Sequence, residues 1–422
     1  MRRRCVILFL FVGLTTQSFA QFFESDTIPQ FDFVRYDLNK LSVRDSTALG
    51  PLFEKIWAFE STKKGKAKIL HIGDSHIQAG YFSGKVRECL HKGLGCGTRE
   101  RGFVFPFGMA HTNGPVNYAA QYTGNWQGFK SASTTEDSQW GLAGISASTK
   151  DDSTTLKIYS NNHTFDSYQF KRVKIFYRDD TDAFKISLRT DKKDFITVKD
   201  DDYRCYKTFE FSKEVDTLYF TFLKDSLDED ATFLIQGVEL ESDEPGITYS
   251  EVGVNGAKVK SFLRCNDFTS QLATLNPDLM VISLGTNDAY NLNFEDSLFY
   301  NHYDSLIGIV KATIPNSSII LTTPGDARRY KKVPLKENLF IRNSILRLAK
   351  KHNTAVWDFF KIMGGFLSVN QWHEENLISY DFLHMNEKGY KLQGELFYSA
   401  FAKNQAEKSF GLKPISLSLS PY

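Results

Sequence analysis

Three short clusters in the 422-residue chain hold residue types that can cleave an ester together. The first is Gly73-Asp74-Ser75. An alcohol is a poor nucleophile at neutral pH unless a neighbouring base takes its proton, so a candidate serine needs a histidine and a carboxylate that orients it. The second cluster, Asp381-Phe382-Leu383-His384, supplies both. A three-residue offset in a turn can bring the carboxylate against the imidazole, fixing its tautomer and stabilising the imidazolium formed when it accepts the proton. Histidine suits that task because it titrates near neutral pH. The third cluster is Gly285-Thr286-Asn287-Asp288, where an amide side chain and closely approaching backbone N–H groups can stabilise a developing oxyanion. Taken singly, each has an ordinary reading: a capped turn, a surface turn, and a strand-ending turn that Gly and Asn favour anyway. Their combination and order give them weight.

The surrounding patterns position these clusters. Leu52, Phe53, Ile56, Trp57 and Phe59 recur at helical spacing. Residues 67–72 read as a strand, with Gly73-Asp74-Ser75 as its sharp exit and a helix over 76–92. Ser75 therefore stands at the carboxyl edge of a sheet, where open α/β folds place ligands. Its amide lies near a helix N-terminus, where unpaired N–H groups favour negative charge. Further on come a strand at 279–284, a helix at 296–313, a strand at 318–323, a helix at 336–351, a strand at 354–359 and a last helix at 388–402. That alternation predicts a parallel sheet covered on both faces. Between about Pro115 and Pro245 the texture changes to short alternating runs: 172–177, 184–188, 208–211, 217–223 and 232–240. Charged turns separate them, which predicts an antiparallel β-sandwich. The expected layout is a leader and first α/β part over 21–115, an insert over 116–244, the second α/β part over 245–405 and a tail over 406–422.

A formal charge of +1, with 41% hydrophobic and 24% charged residues, is ordinary for a globular protein and gives no reason to expect nucleic acid as a partner. Arg2, Arg3 and Arg4, the apolar run Val6–Leu14 and the small residues Ser18 and Ala20 read as a signal peptide over 1–20. The run is about half the length a membrane span needs. An exported protein, periplasmic or extracellular, is expected, with no integral membrane segment after cleavage. Four cysteines then remain. These are Cys89, Cys96, Cys205 and Cys265, of which Cys89 and Cys96 could close a short loop or stay as free thiols. No ligand spacing indicates a metal site. Asp200, Asp201 and Asp202 read as a solvated turn, and His111 and His373 as satisfied structural histidines.

The clusters resemble the blocks of the SGNH (GDSL-type) hydrolase family, in that family's order. Gly73-Asp74-Ser75 resembles the first block, which implies Ser75 as nucleophile and its amide as an oxyanion donor. Gly253-Val254-Asn255-Gly256 resembles the second and implies Gly256 as a further donor. Gly285-Thr286-Asn287-Asp288 resembles the third, with Asn287 donating, and Asp381 and His384 match the fifth. His76 and Met385 depart from the commonest pattern. The resemblance covers about 70–115 and 245–402, and implies a flavodoxin-like parallel sheet and an esterase without metal or organic cofactor.

Ser75 and Gly256 stand 181 positions apart, far more than one helix and a strand require. The surplus is enough for a whole domain. This arrangement resembles peptidoglycan O-acetylesterases, whose catalytic fold is split by a carbohydrate-binding-like sandwich; residues 101–106 and 112–115 resemble the linking segment of exported bacterial members. An acetylated glycan or peptidoglycan is the substrate so implied. Trp126 and Trp140, near the entry to the insert, could stack on sugars, and Trp372 could line the acyl or sugar pocket. Three other readings use the same residues: a lipase or thioesterase, an O-acetyltransferase, and a glycan-binding protein on an inactive scaffold. The sequence does not define the oligomeric state.

Overall fold

The computed structural model describes residues 28–409, apart from 93–96, 99, 161–167, 180–181, 192–195 and 202–205. The signal-peptide reading, Cys96, Cys205, Asp202 and most of the tail lie outside the described residues.

The Gly73-Asp74-Ser75 and Gly285–Asp288 clusters follow strands of a six-stranded sheet. Its spatial order is Leu41–Ser42, Ala355–Trp357, Ser318–Thr322, Leu279–Ser283, Lys66–Gly73 and Gly246–Gly253. All neighbours run parallel except the first pair. Along the strands, alternate residues face two different cores. Leu70, Ile72, Met280, Ile282 and Leu321 join one, and Ile69, Val281 and Ile320 the other. Burial on both faces explains why these strands read as continuous apolar runs. The helices Gly50–Thr62, Tyr81–Lys92 and Glu387–Ser409 cover one face, and Val259–Leu263, Phe268–Leu275, Asp296–Thr313 and Glu337–His352 the other.

Counting only the parallel strands in chain order, the spatial order is 2-1-3-4-5, the flavodoxin-like arrangement. The chain reverses direction across the sheet beside Lys66–Gly73. Ligands of such folds bind outside the strand carboxyl ends at that switch point. The loops after Gly73, Gly253 and Ser283 all emerge there.

Two expectations need correction. The described part of the leader does more than lead into the fold, since Leu41–Ser42 completes the sheet edge and Val34, Leu41 and Val43 are buried. The expected helix over 76–92 is two helices, Ser75–Gln78 and Tyr81–Lys92. Gly80 separates them with φ +75°, and a side chain there would meet Pro115.

The insert forms two antiparallel sheets. One contains Gln127–Lys130, Ile145–Thr149, Phe170–Arg178, Ile196–Asp201, Tyr206–Val215 and Phe233–Glu241; the other contains Tyr118–Tyr122, Ser153–Ser160, Phe184–Arg189 and Thr217–Lys224. Their inner faces meet through aromatic pairs such as Phe222–Phe233 (4.7 Å between ring centroids) and Phe209–Phe220 (6.2 Å). Gly102–Val104, upstream of the expected boundary, adds to the first sheet by pairing with Phe233–Glu241.

Buried charge ties the insert to the parallel sheet. Arg87 and Arg101 both pair with Glu251, and the Arg101 guanidinium stacks on Tyr118 at 4.9 Å. Lys68 of the parallel sheet and Lys174 of the insert share Glu239 and Glu241. Among the described residues, no helix is long and apolar enough to cross a membrane.

Candidate active site

Strand Lys66–Gly73 delivers Asp74 and Ser75 to the sheet rim. The exit must be tight: a Cβ on Gly73 would lie 2.3 Å from the Ile77 side chain and 2.8 Å from the Ser283 carbonyl. Asp74 caps the helix Ser75–Gln78, its Oδ1 accepting from the His76 N–H at 3.0 Å. That cap fixes Ser75 at the first helical position.

Asp381 and His384 occupy a tight turn before the last helix. Asp381 Oδ1 accepts from the N–H groups of Leu383 (3.0 Å) and His384 (2.9 Å), and the His384 carbonyl accepts from the Ser379 N–H at 2.8 Å. Phe382, at the bend, has φ +56°. Its ring lies 4.1 Å from that of His373, centroid to centroid. His373 therefore buttresses this turn.

The structure brings the two clusters together. His384 Nδ1 lies 2.6 Å from Asp381 Oδ2, and His384 Nε2 lies 2.9 Å from Ser75 Oγ. Burial opposes ionisation of Asp381, but the His384 ring and the two backbone N–H groups hold its carboxyl well below the usual range. The hydrogen bond that His384 donates to Asp381 raises the His384 pKa above the ordinary value, with burial working against it.

Gly256, at φ +81°, is exposed at the end of the second cluster. A network around Gln78 fixes that loop. Gln78 Oε1 accepts from the Asn255 N–H (2.6 Å), Gln78 Nε2 donates to the Asn113 carbonyl (2.6 Å), and Asn255 Nδ2 donates to Asn113 Oδ1 (2.6 Å). Asn287 Nδ2 donates to the Ala257 carbonyl at 3.0 Å and, more weakly, to Asp74 Oδ2 at 3.3 Å. Asn287 is thus held against both of the other rim loops. Asp288 is buried and accepts from the Val259 N–H at 3.3 Å; burial pushes its carboxyl up to about 7. Burial likewise pushes Asp74 up to about 6.

The sequence reading missed the role of His76. Its ring is 5.2 Å from the His384 ring, and its Nδ1 shares a 2.9 Å hydrogen bond with the Tyr390 hydroxyl. Burial drives its pKa down to about 3, keeping it neutral beside His384. Nothing local in the sequence links His76 to a tyrosine 314 positions away.

The three tryptophans are a correction. Trp126, Trp140 and Trp372 are all buried. Trp126 packs between Phe222 and Phe233 inside the insert, and its Nε1 donates to the Thr123 carbonyl at 3.0 Å. Trp140 lies under the Arg264 guanidinium at 4.7 Å. Trp372 packs against Phe33 and Phe359 and donates to the Met363 carbonyl at 2.9 Å. Large rings that find apolar partners settle in the core, so none offers a face to a sugar. His111 Nε2 bonds the Trp126 carbonyl at 2.8 Å, a structural contact. Cys89 and Cys265 carry free thiols. Among the described residues, no group of three or more His, Cys, Asp or Glu is arranged to hold a metal ion.

A parallel sheet of this order gathers Ser75, His384 and Asp381 at its switch point, groups able to carry out acyl transfer on an ester. Residues 230–392 match the GDSL-like Lipase/Acylhydrolase family. Among solved structures, a peptidoglycan O-acetylesterase superimposes with a TM-score of 0.71 at 20% identity, covering 87% of this chain and 99% of that one. A carbohydrate esterase family 3 structure from Talaromyces cellulolyticus (15% identity, 40% of this chain, 77% of that one, TM-score 0.31) and an acetyl esterase variant with an acetate ion (15%, 38%, 74%, 0.30) are also similar. No curated protein matches the chain.

Proposed function

We propose that this protein is an exported esterase that removes O-acetyl groups from a carbohydrate polymer of the peptidoglycan kind, through an acetyl-enzyme on Ser75. One observation carries the reading: the unbroken line from Ser75 Oγ through the His384 imidazole to Asp381, at 2.9 and 2.6 Å. The first distance is hydrogen-bond reach for a nucleophile and its base.

Neutral His384, with Nδ1–H donated to Asp381, accepts the Ser75 proton at Nε2 as Oγ attacks the acetyl carbonyl. The oxyanion is met by the Ser75 and Gly256 amides and by Asn287. The longer Asn287 bond, to Asp74 at 3.3 Å, is the one the oxyanion would replace. His384 then returns the proton to the departing sugar oxygen. Water, deprotonated by the same imidazole, hydrolyses the acetyl ester, releasing acetate and restoring the serine. The neutral state of His76 supports this cycle, because a second cation beside His384 would disfavour the imidazolium intermediate.

The likeness in layout to a peptidoglycan O-acetylesterase over 87% of the chain supports the polymer class. Acetate release from O-acetylated peptidoglycan tests the proposal. The wild type should release acetate, and the folded Ser75→Ala protein should not. Preferential cleavage of long-chain esters, or acetyl transfer to sugar hydroxyls in place of water, would point to the lipase or transferase readings.

A further inference from the structure

Arg328–Arg329 and Val333–Pro334 form a small hairpin that spans the two sides of the candidate site. On one side the Arg328 N–H donates to the Phe382 carbonyl at 2.8 Å, within the Asp381–His384 turn. On the other, Arg329 donates to the carbonyls of Ala289 (2.6 Å) and Tyr290 (3.0 Å), directly after the Asn287 helix. The Tyr330 N–H also donates to the Tyr290 hydroxyl at 3.0 Å. The hairpin is therefore anchored to both the proton-relay loop and an oxyanion loop.

The turn at its tip is strained. Tyr330 and Lys331 have φ +51° and +66°, and the Lys332 N–H closes the turn on the Arg329 carbonyl at 3.1 Å. Positive φ at both central residues is the pattern that Asn-Gly fills readily; a bulky residue there costs on the order of 1–2 kcal/mol. Neither side chain repays that cost by burial. Tyr330 is 61% exposed and Lys331 is exposed. Tyr380, next to Asp381 in sequence, is 74% exposed, and the Lys331 ammonium sits 3.8 Å above its ring. Tyr330 packs edge-on against the Tyr290 ring (5.5 Å between centroids) yet leaves most of its surface open, so the strained turn holds an exposed aromatic side chain at the rim, as strained turns at ligand sites do.

We propose that Tyr330, Lys331 and Tyr380 form a glycan subsite: Tyr330 and the face of Tyr380 opposite Lys331 stack on sugar rings flanking the acetylated residue, and Lys331 pairs with a carboxylate on the same strand. This deepens, and rests on, the O-acetyl-glycan reading above. An exposed aromatic face beside a lysine matches a ligand with an apolar ring face and an anionic substituent. An uncharged acyl chain would leave Lys331 unused. The buried tryptophans cannot serve this purpose, so the polymer is gripped at the rim and not in the insert's core.

The test compares kcat/KM on O-acetylated peptidoglycan, whose stem peptides carry carboxylates, with kcat/KM on a small chromogenic acetate ester, for the full chain. Tyr330→Ala and Tyr380→Ala should each lower the glycan-to-ester ratio about tenfold, through KM, the size of one lost favourable contact. Lys331→Gln should lower it on peptidoglycan and leave it unmoved on neutral O-acetylated xylan. The double variant Tyr330→Asn, Lys331→Gly should raise the melting temperature while lowering the ratio, a pair of signs that a purely structural hairpin would not give. Leu227→Ser, at an exposed position in the insert, is the control. Ratios unmoved in all rim variants, or losses equal on both substrates, would overturn the subsite and leave the esterase reading intact. A wild type that releases acetate from no glycan would remove both.

Discussion

The rim of the parallel sheet and the interior of the insert both hold aromatic rings and acidic groups close to β-structure. They differ in what those groups are bonded to. In the insert, Trp126 is enclosed by Phe222 and Phe233 with its N–H satisfied, so packing uses the whole side chain. At the rim, Asp381 and His384 keep 41% and 36% of their side-chain surface exposed, and their hydrogen bonds run to one another and to Ser75. Residue type does not separate chemistry from architecture here. The direction of the hydrogen bonds and the surface left open to a ligand do.

The sharpest way to break that contrast is to remove each region's central group. Ser75→Ala or His384→Ala should lower kcat on an acetate ester by about 10⁶, as loss of either partner does in a serine relay, while the melting temperature stays close to that of the wild type. Asp381→Asn should cost roughly 10⁴ and also move the pH profile. The base must be neutral, so activity falls as pH drops through the His384 pKa. Asp381 holds that pKa above the ordinary value, so the wild-type limb should lie above about pH 6.5, and the Asn variant's limb should move to lower pH. Asn287→Ala should reduce kcat by about 10²–10³ with KM little changed. Trp126→Ala should show the opposite pattern, losing on the order of 3–5 kcal/mol of stability while kcat per folded molecule stays within about twofold of wild type, the smallest catalytic effect of the series. Guanidinium unfolding paired with kinetics on the same samples checks all four. A Trp126 variant that is stable but inactive would erase the distinction between the two regions.

Much of this arrangement was legible in the sequence because the signals were local. The 296–313 periodicity matches the helix Asp296–Thr313, and the apolar runs at 67–72, 279–284, 318–323 and 354–359 match four of the parallel strands; the fifth, Gly246–Gly253, carries polar residues and was not anticipated. The Asp381–His384 spacing was readable because a four-residue turn encodes its own geometry. What escaped depends on contacts between distant segments. Gly80 breaks the expected helix with its φ of +75°, and Pro115, 35 positions on, packs where a side chain would go. Leu41–Ser42 belongs to the sheet through a partner over 300 positions away. The Gln78–Asn113–Asn255 network and the His76–Tyr390 pair join three or more parts of the chain. Exposure was the least legible property of all: the tryptophans chosen for stacking are buried, whereas Tyr330 and Tyr380, unremarkable in sequence, stand open beside the site.

Covalent capture on Ser75 is the claim on which the mechanism stands. Turnover of an acetate ester by the intact protein, quenched in acid and analysed by peptide mass spectrometry, should reveal one acetyl group on the peptide containing Ser75, absent from the Ser75→Ala protein. Steady acetate release with the label on another residue, or undiminished release by Ser75→Ala, would contradict the account.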